Sequence, residues 1–126
     1  MIGSMRSTRL VIKITHGVEG DSLERLAQAL SVAATSVASG LQVSLWLTGD
    51  ATIVAHAGAE LPSLPHSSPL ADLVATVLEG GTVTVCTQCA QRRGLTGADL
   101  IDGVRIAGSA TFVEEVMAEG TRALVY

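Results

Sequence analysis

The sequence predicts an α/β protein with a doubly wound, mostly parallel sheet, and three observations carry that expectation. Short apolar runs alternate with helical stripes in the order β-α-β-α-α-β-α-β-α-β. The connections between them are short, as consecutive elements of one domain require. Hydrophobic residues make up 48% of the 126, yet Trp, Phe and Tyr occur once each. The core must therefore come from Val, Leu, Ile and Ala, the composition of parallel strands covered on both faces. So much apolar material in a short chain also points to burial between subunits.

Residues 1–8 are expected to be a disordered or expression-derived N-terminus, with a second methionine at Met5, and 9–126 to form one domain. Leu10–Ile14 is a mostly apolar first strand. Asp21 and Glu24 have capping-box spacing, and Leu23, Leu26, Ala27, Leu30, Ala34 and Val37 follow at helical intervals up to Gly40. Leu41–Leu47 alternates as a second strand, with Trp46 facing away from Val43 and Leu45. Asp50 is placed to cap a short helix reaching His56. A loop with Pro62, Pro65 and His66 leads to Ser68 as N-cap and Pro69 as first helical residue. Leu70, Leu73, Val74, Val77 and Leu78 form the next stripe, stopped by Gly80-Gly81. Thr82–Val85 is the third strand, and Thr87–Arg93 a short helix closed by Gly94. Thr96 and Asp99 cap one more turn, and Val104–Ala107 is the fourth strand. Ser109 opens a last helix with Phe112, Val113, Val116 and Met117 inward and Glu114, Glu115 and Glu119 in solvent. Ala123–Val125 is the fifth strand.

Several function classes are disfavoured. The net charge is −4, and no stretch concentrates cations beyond Arg92-Arg93, so the basic footprint of a nucleic-acid surface is missing. The uncharged run Leu26–Gly49 has the length of a membrane span, but its periodicity changes halfway, as a helix followed by a strand should. No apolar signal-peptide core opens the chain, so the expected compartment is the reducing cytoplasm. There, two cysteines close in sequence read as reactive before they read as a structural disulfide.

In a parallel sheet the ligand crevice lies beyond the carboxyl ends of the strands. His16-Gly17, Thr48-Gly49-Asp50 and Cys86-Thr-Gln-Cys89 all fall there. Cys86 ends a strand and opens a helix, where outward amides and the helix dipole favour thiolate over thiol. Arg92 and Arg93 would add positive charge from almost two turns away. An accessible thiolate attacks sulfur–sulfur bonds, and Cys89, one turn on, is near enough to form a disulfide or take over a sulfur. The residues leave other readings open. The pair could be two small buried residues. It could be half of a zinc site, to which His16 and His56 would have to contribute. It could be a dithiol oxidoreductase, although that motif usually follows a first strand, not a third. An oligomeric module binding a small ligand, with cysteines that do no chemistry, is a further alternative. No cofactor and no resident metal is expected.

The segment Val85-Cys86-Thr-Gln-Cys89-Ala-Gln-Arg92-Arg93-Gly94 resembles one found in the DsrE/DsrF-like (TusD-like) family of small sulfur-relay proteins. There the sulfur-accepting cysteine follows the third strand and an Arg-Arg-Gly turn closes the next helix. Leu10–Gly17, Leu45–Asp50, Gly108–Phe112 and Ala123–Tyr126 match in order and spacing, so the resemblance covers nearly the whole chain. It implies a three-layer α/β/α sandwich around a five-stranded sheet, assembled into trimers or hexamers. It also implies sulfurtransferase-like carriage, in which a cysteine takes sulfane sulfur from a donor protein and passes it to an acceptor protein. By position that role falls on Cys86, with Cys89 beside it and His16, Gly17, Gly49, Asp50 and Thr87 lining the pocket. Cys89 departs from the simplest pattern, in which one cysteine suffices. A plain persulfide carrier and a dithiol that releases sulfur by closing a disulfide both remain open at this point.

Overall fold

The computed structural model describes residues 7–126, so residues 1–6 of the expected N-terminal leader lie outside the described residues. Strands β1 (Arg9–Ile14), β2 (Gln42–Leu47), β3 (Thr82–Cys86), β4 (Arg105–Ala107) and β5 (Thr121–Val125) form one sheet in the order β4-β3-β2-β1-β5. Every neighbouring pair is parallel. Four α-helices connect or flank them: α1 (Ser22–Ala38), α2 (Leu70–Gly80), α3 (Thr87–Arg92) and α4 (Ser109–Met117). Short 3-10 helices span Gly49–Ala55 and Gly97–Asp99. Thr8, just before β1, is already tied in: its amide donates to the Gly120 carbonyl and its own carbonyl accepts from Gln42.

The strand order explains the layers. From β1 to β4 the chain steps in one direction, so right-handed crossovers put α1, α2 and α3 on one face. The step from β4 back to β5 reverses that direction and puts α4 on the other. The alternation of each strand matches. Ile12, Ile14, Val43, Leu45, Leu47, Val83 and Val85 face α1 and α2, and all are buried in the main core with Leu26, Leu30, Val74 and Val77. The opposite face carries Lys13, Ser44, Trp46, Thr84, Cys86 and Arg105. The expected three-layer sandwich is therefore unequal: one face is a continuous aliphatic core, the other a mixed polar surface under a single helix.

Local chemistry departs from expectation at several helix starts. Asp21 precedes α1 but has helical backbone angles and no side-chain cap bond. The Ser22 amide is already taken by the Glu19 carbonyl, so a turn replaces the expected capping box. Pro69, not Ser68, is the cap residue of α2, and its carbonyl accepts from Asp72 and Leu73. Ser109 opens α4 as expected, with Gly108 as its cap residue. Asp50 lies inside its 3-10 helix, whose cap residue is Thr48. The Thr96–Asp99 capping box does form.

Helix α4 is the largest departure. Phe112 turns inward, 5.2 Å and edge-on from Trp46, but Val113 and Met117 are 56% and 76% exposed. Glu115, expected in solvent with Glu114 and Glu119, instead lies under the helix. Its carboxylate accepts from Ser44 Oγ (2.5 Å), Trp46 Nε1 (2.9 Å) and Arg105 Nη2 (2.7 Å). A sheet face bearing Ser, Thr, Trp and Arg offers donors that need an acceptor, and Glu115 supplies it. No helix among the described residues is long and apolar enough to cross a membrane.

Candidate functional site

Because all strands are parallel, the turns after β1, β2, β3 and β4 meet at one sheet edge. Cys86 is the last residue of β3 and the cap residue of α3, with extended backbone angles (φ −62°, ψ 131°). An extended residue directly before a helix aims its side chain at the first free amides of that helix. Here the Cys89 and Gln88 amides and the Cys89 thiol lie close enough to the Cys86 sulfur to favour its thiolate, and Lys13 contributes positive charge. Partial burial pushes the thiol upward, but those four influences outweigh it and hold Cys86 below the ordinary thiol range. The sulfur opens onto a cavity of about 50 Å³ lined by Lys13, Trp46, Thr48, Ser109 and Phe112.

Cys89 sits behind Cys86 and is buried, at 8% exposure. Its sulfur accepts a hydrogen bond from the Gly49 amide at 3.2 Å. That contact depends on two glycines. Gly49 has φ +56°, a left-handed conformation in which its N–H can turn toward α3. Gly17 lets the first βα turn touch the 3-10 helix, since a Cβ there would stand 2.8 Å from Asp50 Cβ and 3.0 Å from its carbonyl oxygen. Gly17 and Gly49 thus set the position of the amide that holds Cys89.

The remaining expected site residues separate from the thiols. Asp50 is largely exposed and pairs with Arg93 Nη2 at 2.9 Å. Both line a different hollow, of about 430 Å³, with Glu19 and His56. Arg93 also donates to the Cys89 carbonyl, so it folds back along α3 instead of adding charge at Cys86. His16 Nε2 accepts from Arg25 Nη1, which places the ring proton on Nδ1, facing Thr15 Oγ1 at 3.2 Å. The Thr15 hydroxyl passes the chain on to the Tyr126 carbonyl. His16 therefore has both ring nitrogens engaged elsewhere. Thr87 opens α3 half-buried beside Gly108. Among the described residues no three His, Cys, Asp or Glu side chains gather into one cluster.

One of the groups acting on Cys86, Lys13, lies outside the segments the sequence places at the crevice. Lys13 was hidden inside an apolar strand, though a lone cation at the carboxyl end of a buried run is itself a signal. Thr48, expected at the crevice, does line the cavity, and its hydroxyl is tied to the Ile14 carbonyl.

A half-buried, acidified cysteine at the carboxyl edge of a five-stranded parallel sheet defines a small thiol-bearing α/β domain. The chain belongs to the DsrE/DsrF-like family, whose model matches residues 9–126. An uncharacterized protein of Methanocaldococcus jannaschii is 29% identical over 104 residues, 82% of this chain and 84% of that one. An uncharacterized protein of Methanopyrus kandleri is 31% identical over 84 residues, 67% of this chain and 68% of that one. The ychN protein of E. coli superposes with a TM-score of 0.76 at 21% identity, over 94% of this chain and 99% of that one. A protein of unknown function from Methanobacterium thermoautotrophicum gives 0.73 at 17% identity, over 95% and 100%. These two structures bear out the fold.

Proposed function

We propose that this protein is a sulfur carrier: Cys86 takes sulfane sulfur from a donor protein as a persulfide and hands it to an acceptor protein. The observation that carries this reading is the Cys86 sulfur, held below the ordinary thiol range by two amides, a thiol and an ammonium group, at the mouth of a cavity of about 50 Å³. The Cys86 thiolate would attack the outer sulfur of a donor persulfide. A bond forms to that sulfur, the donor's S–S bond breaks, and the donor leaves as a thiol. The new terminal sulfur would then sit beside Lys13, whose charge favours its anionic form.

The size of the cavity at Cys86 supports a carried sulfur atom over a small ligand bound at that thiol. Ligand pockets span roughly 300–1,000 Å³, and the space at Cys86 is far smaller, though sufficient for an added sulfur atom. A donor that brings its sulfur on its own side chain needs no deeper pocket. Family membership supports the same reading, since the family is implicated in sulfur relay.

Self-association belongs to this proposal. Val125 and Leu124 on edge strand β5 are 66% and 40% exposed, and Val113 and Met117 on α4 lie open as well. An uncovered edge strand and exposed apolar side chains on the helix beside it are what an assembling protomer presents. Homotrimers or hexamers would cover both, close to the site.

The test is sulfur loading with inorganic polysulfide followed by intact mass measurement. Cys89→Ser should gain one sulfur atom and Cys86→Ser none. No gain in Cys89→Ser, or an equal gain in both, would overturn the assignment.

A further inference from the structure

We infer that Cys89 clears an undelivered sulfur from Cys86, by closing a Cys86–Cys89 disulfide and releasing hydrosulfide. The inference rests on the carrier reading and adds to it a second outcome for the same persulfide.

Cys86 caps α3 and Cys89 is buried in the first turn of that helix, near enough to favour the Cys86 thiolate, yet Cys89 does not line the cavity into which Cys86 opens. A persulfide on Cys86 would therefore put its terminal sulfur in the cavity, among Lys13, Thr48 and Ser109. Its inner sulfur would stay against Cys89. Attack by Cys89 thus falls on the inner sulfur and expels the outer one; handing the outer sulfur to Cys89 would require it to turn away from Lys13. Cys89 follows Cys86 by three positions, the Cys-x-x-Cys spacing of dithiol redox motifs.

The step balances. The Cys86 persulfide anion and the Cys89 thiol become a Cys86–Cys89 disulfide and one hydrosulfide ion. A bond forms between the two cysteine sulfurs and the bond from Cys86 to the terminal sulfur breaks. The Cys89 sulfur is oxidised, the terminal sulfur is reduced, and the thiol proton leaves with it. The Gly49 amide, 3.2 Å from the Cys89 sulfur, stabilises negative charge as that proton departs. Lys13 faces the departing anion. A thiol reductant, supplying two thiol groups, returns the pair to its reduced form.

Two arms test this. In the first, the reduced protein is equilibrated in glutathione redox buffers and mapped by peptide mass. In the second, wild type and Cys89→Ser are loaded with inorganic polysulfide, freed of excess reagent, and followed for released sulfide. The expected result is a Cys86–Cys89 disulfide in the first arm. In the second, wild type should release about one sulfide per loaded chain and end as the disulfide, while Cys89→Ser keeps its sulfur. Failure of the pair to oxidise at the oxidising end, or wild type retaining its sulfur as long as Cys89→Ser does, would overturn the inference while leaving the carrier intact. Failure of Cys89→Ser to load would overturn the carrier reading, and this inference with it.

Discussion

At Cys86 opposed influences meet. Burial favours the neutral thiol, while two amides, a neighbouring thiol and Lys13 favour the thiolate and prevail. Lys13 is the one that a substitution can remove cleanly. Lys13→Met takes away a positive charge, so the thiolate is less favoured and the pH midpoint of Cys86 alkylation should rise; Lys13→Arg should keep it near the wild-type value. A midpoint unmoved in Lys13→Met would show that the amides act alone. The position of Cys86 was legible because a Cys-x-x-Cys directly after an apolar strand can hardly lie elsewhere than the carboxyl edge. The source of its charge was not. Arg92 and Arg93 are near in sequence, but Arg93 bends onto Asp50 and the Cys89 carbonyl. Lys13 is distant in sequence and adjacent in space because β1 and β3 both flank β2, which no local pattern states.

The elements around the thiols are held by close backbone approach. Gly17→Ala would force its methyl into Asp50, displacing the 3-10 helix at a cost of about 1–3 kcal/mol. Its thermal midpoint should fall, and Cys89, buried in the native fold, should alkylate faster as the displaced 3-10 helix uncovers it. An unchanged alkylation rate would separate that turn from the site. Helix α4 depends on Glu115. Partial burial raises its carboxyl, but bonds from Ser44, Arg105 and Trp46 with the Arg105 charge lower it further than burial raises it. The folded chain then binds fewer protons than the unfolded chain between the two pKa values, so stability rises with pH across that window. The contribution is complete above the unfolded carboxyl pKa, about 4.3, and is lost as pH falls through the lower folded value. Glu115→Gln should flatten this acid-side dependence in denaturant titrations at several pH values. Glu115→Ala should cost about 1–3 kcal/mol by leaving Arg105 without its carboxylate. The sequence hid this because Glu114, Glu115 and Glu119 look alike on a helix; only the donors beneath distinguish Glu115.

For the molecule as a whole, the fold was legible because period-two and period-3.6 segments alternate without ambiguity and are short-linked. The asymmetry of its two faces was legible only in part. Lys13, Ser44, Thr84 and Arg105 alternate with apolar neighbours, but which helix covers them follows from the return of β5 to the far side of β1. That return also leaves Val125 and Met117 open, in keeping with the surplus of apolar residues in so short a chain. Val125→Asp with Met117→Glu should lower the mass seen by sedimentation toward that of a monomer, with helical content unchanged. A wild-type protein that already sediments as a monomer would remove assembly from the account.

The central claim is that the Cys86 sulfur is ionised more readily than a free thiol and open to attack partners. The rate of iodoacetamide modification at Cys86, read by peptide mass across a pH series, measures both at once. The midpoint should lie below that of an unstructured cysteine, and near neutral pH modification should be faster than in the unfolded chain. A midpoint at or above the free-thiol value, with slower modification than in the unfolded chain, would contradict the claim.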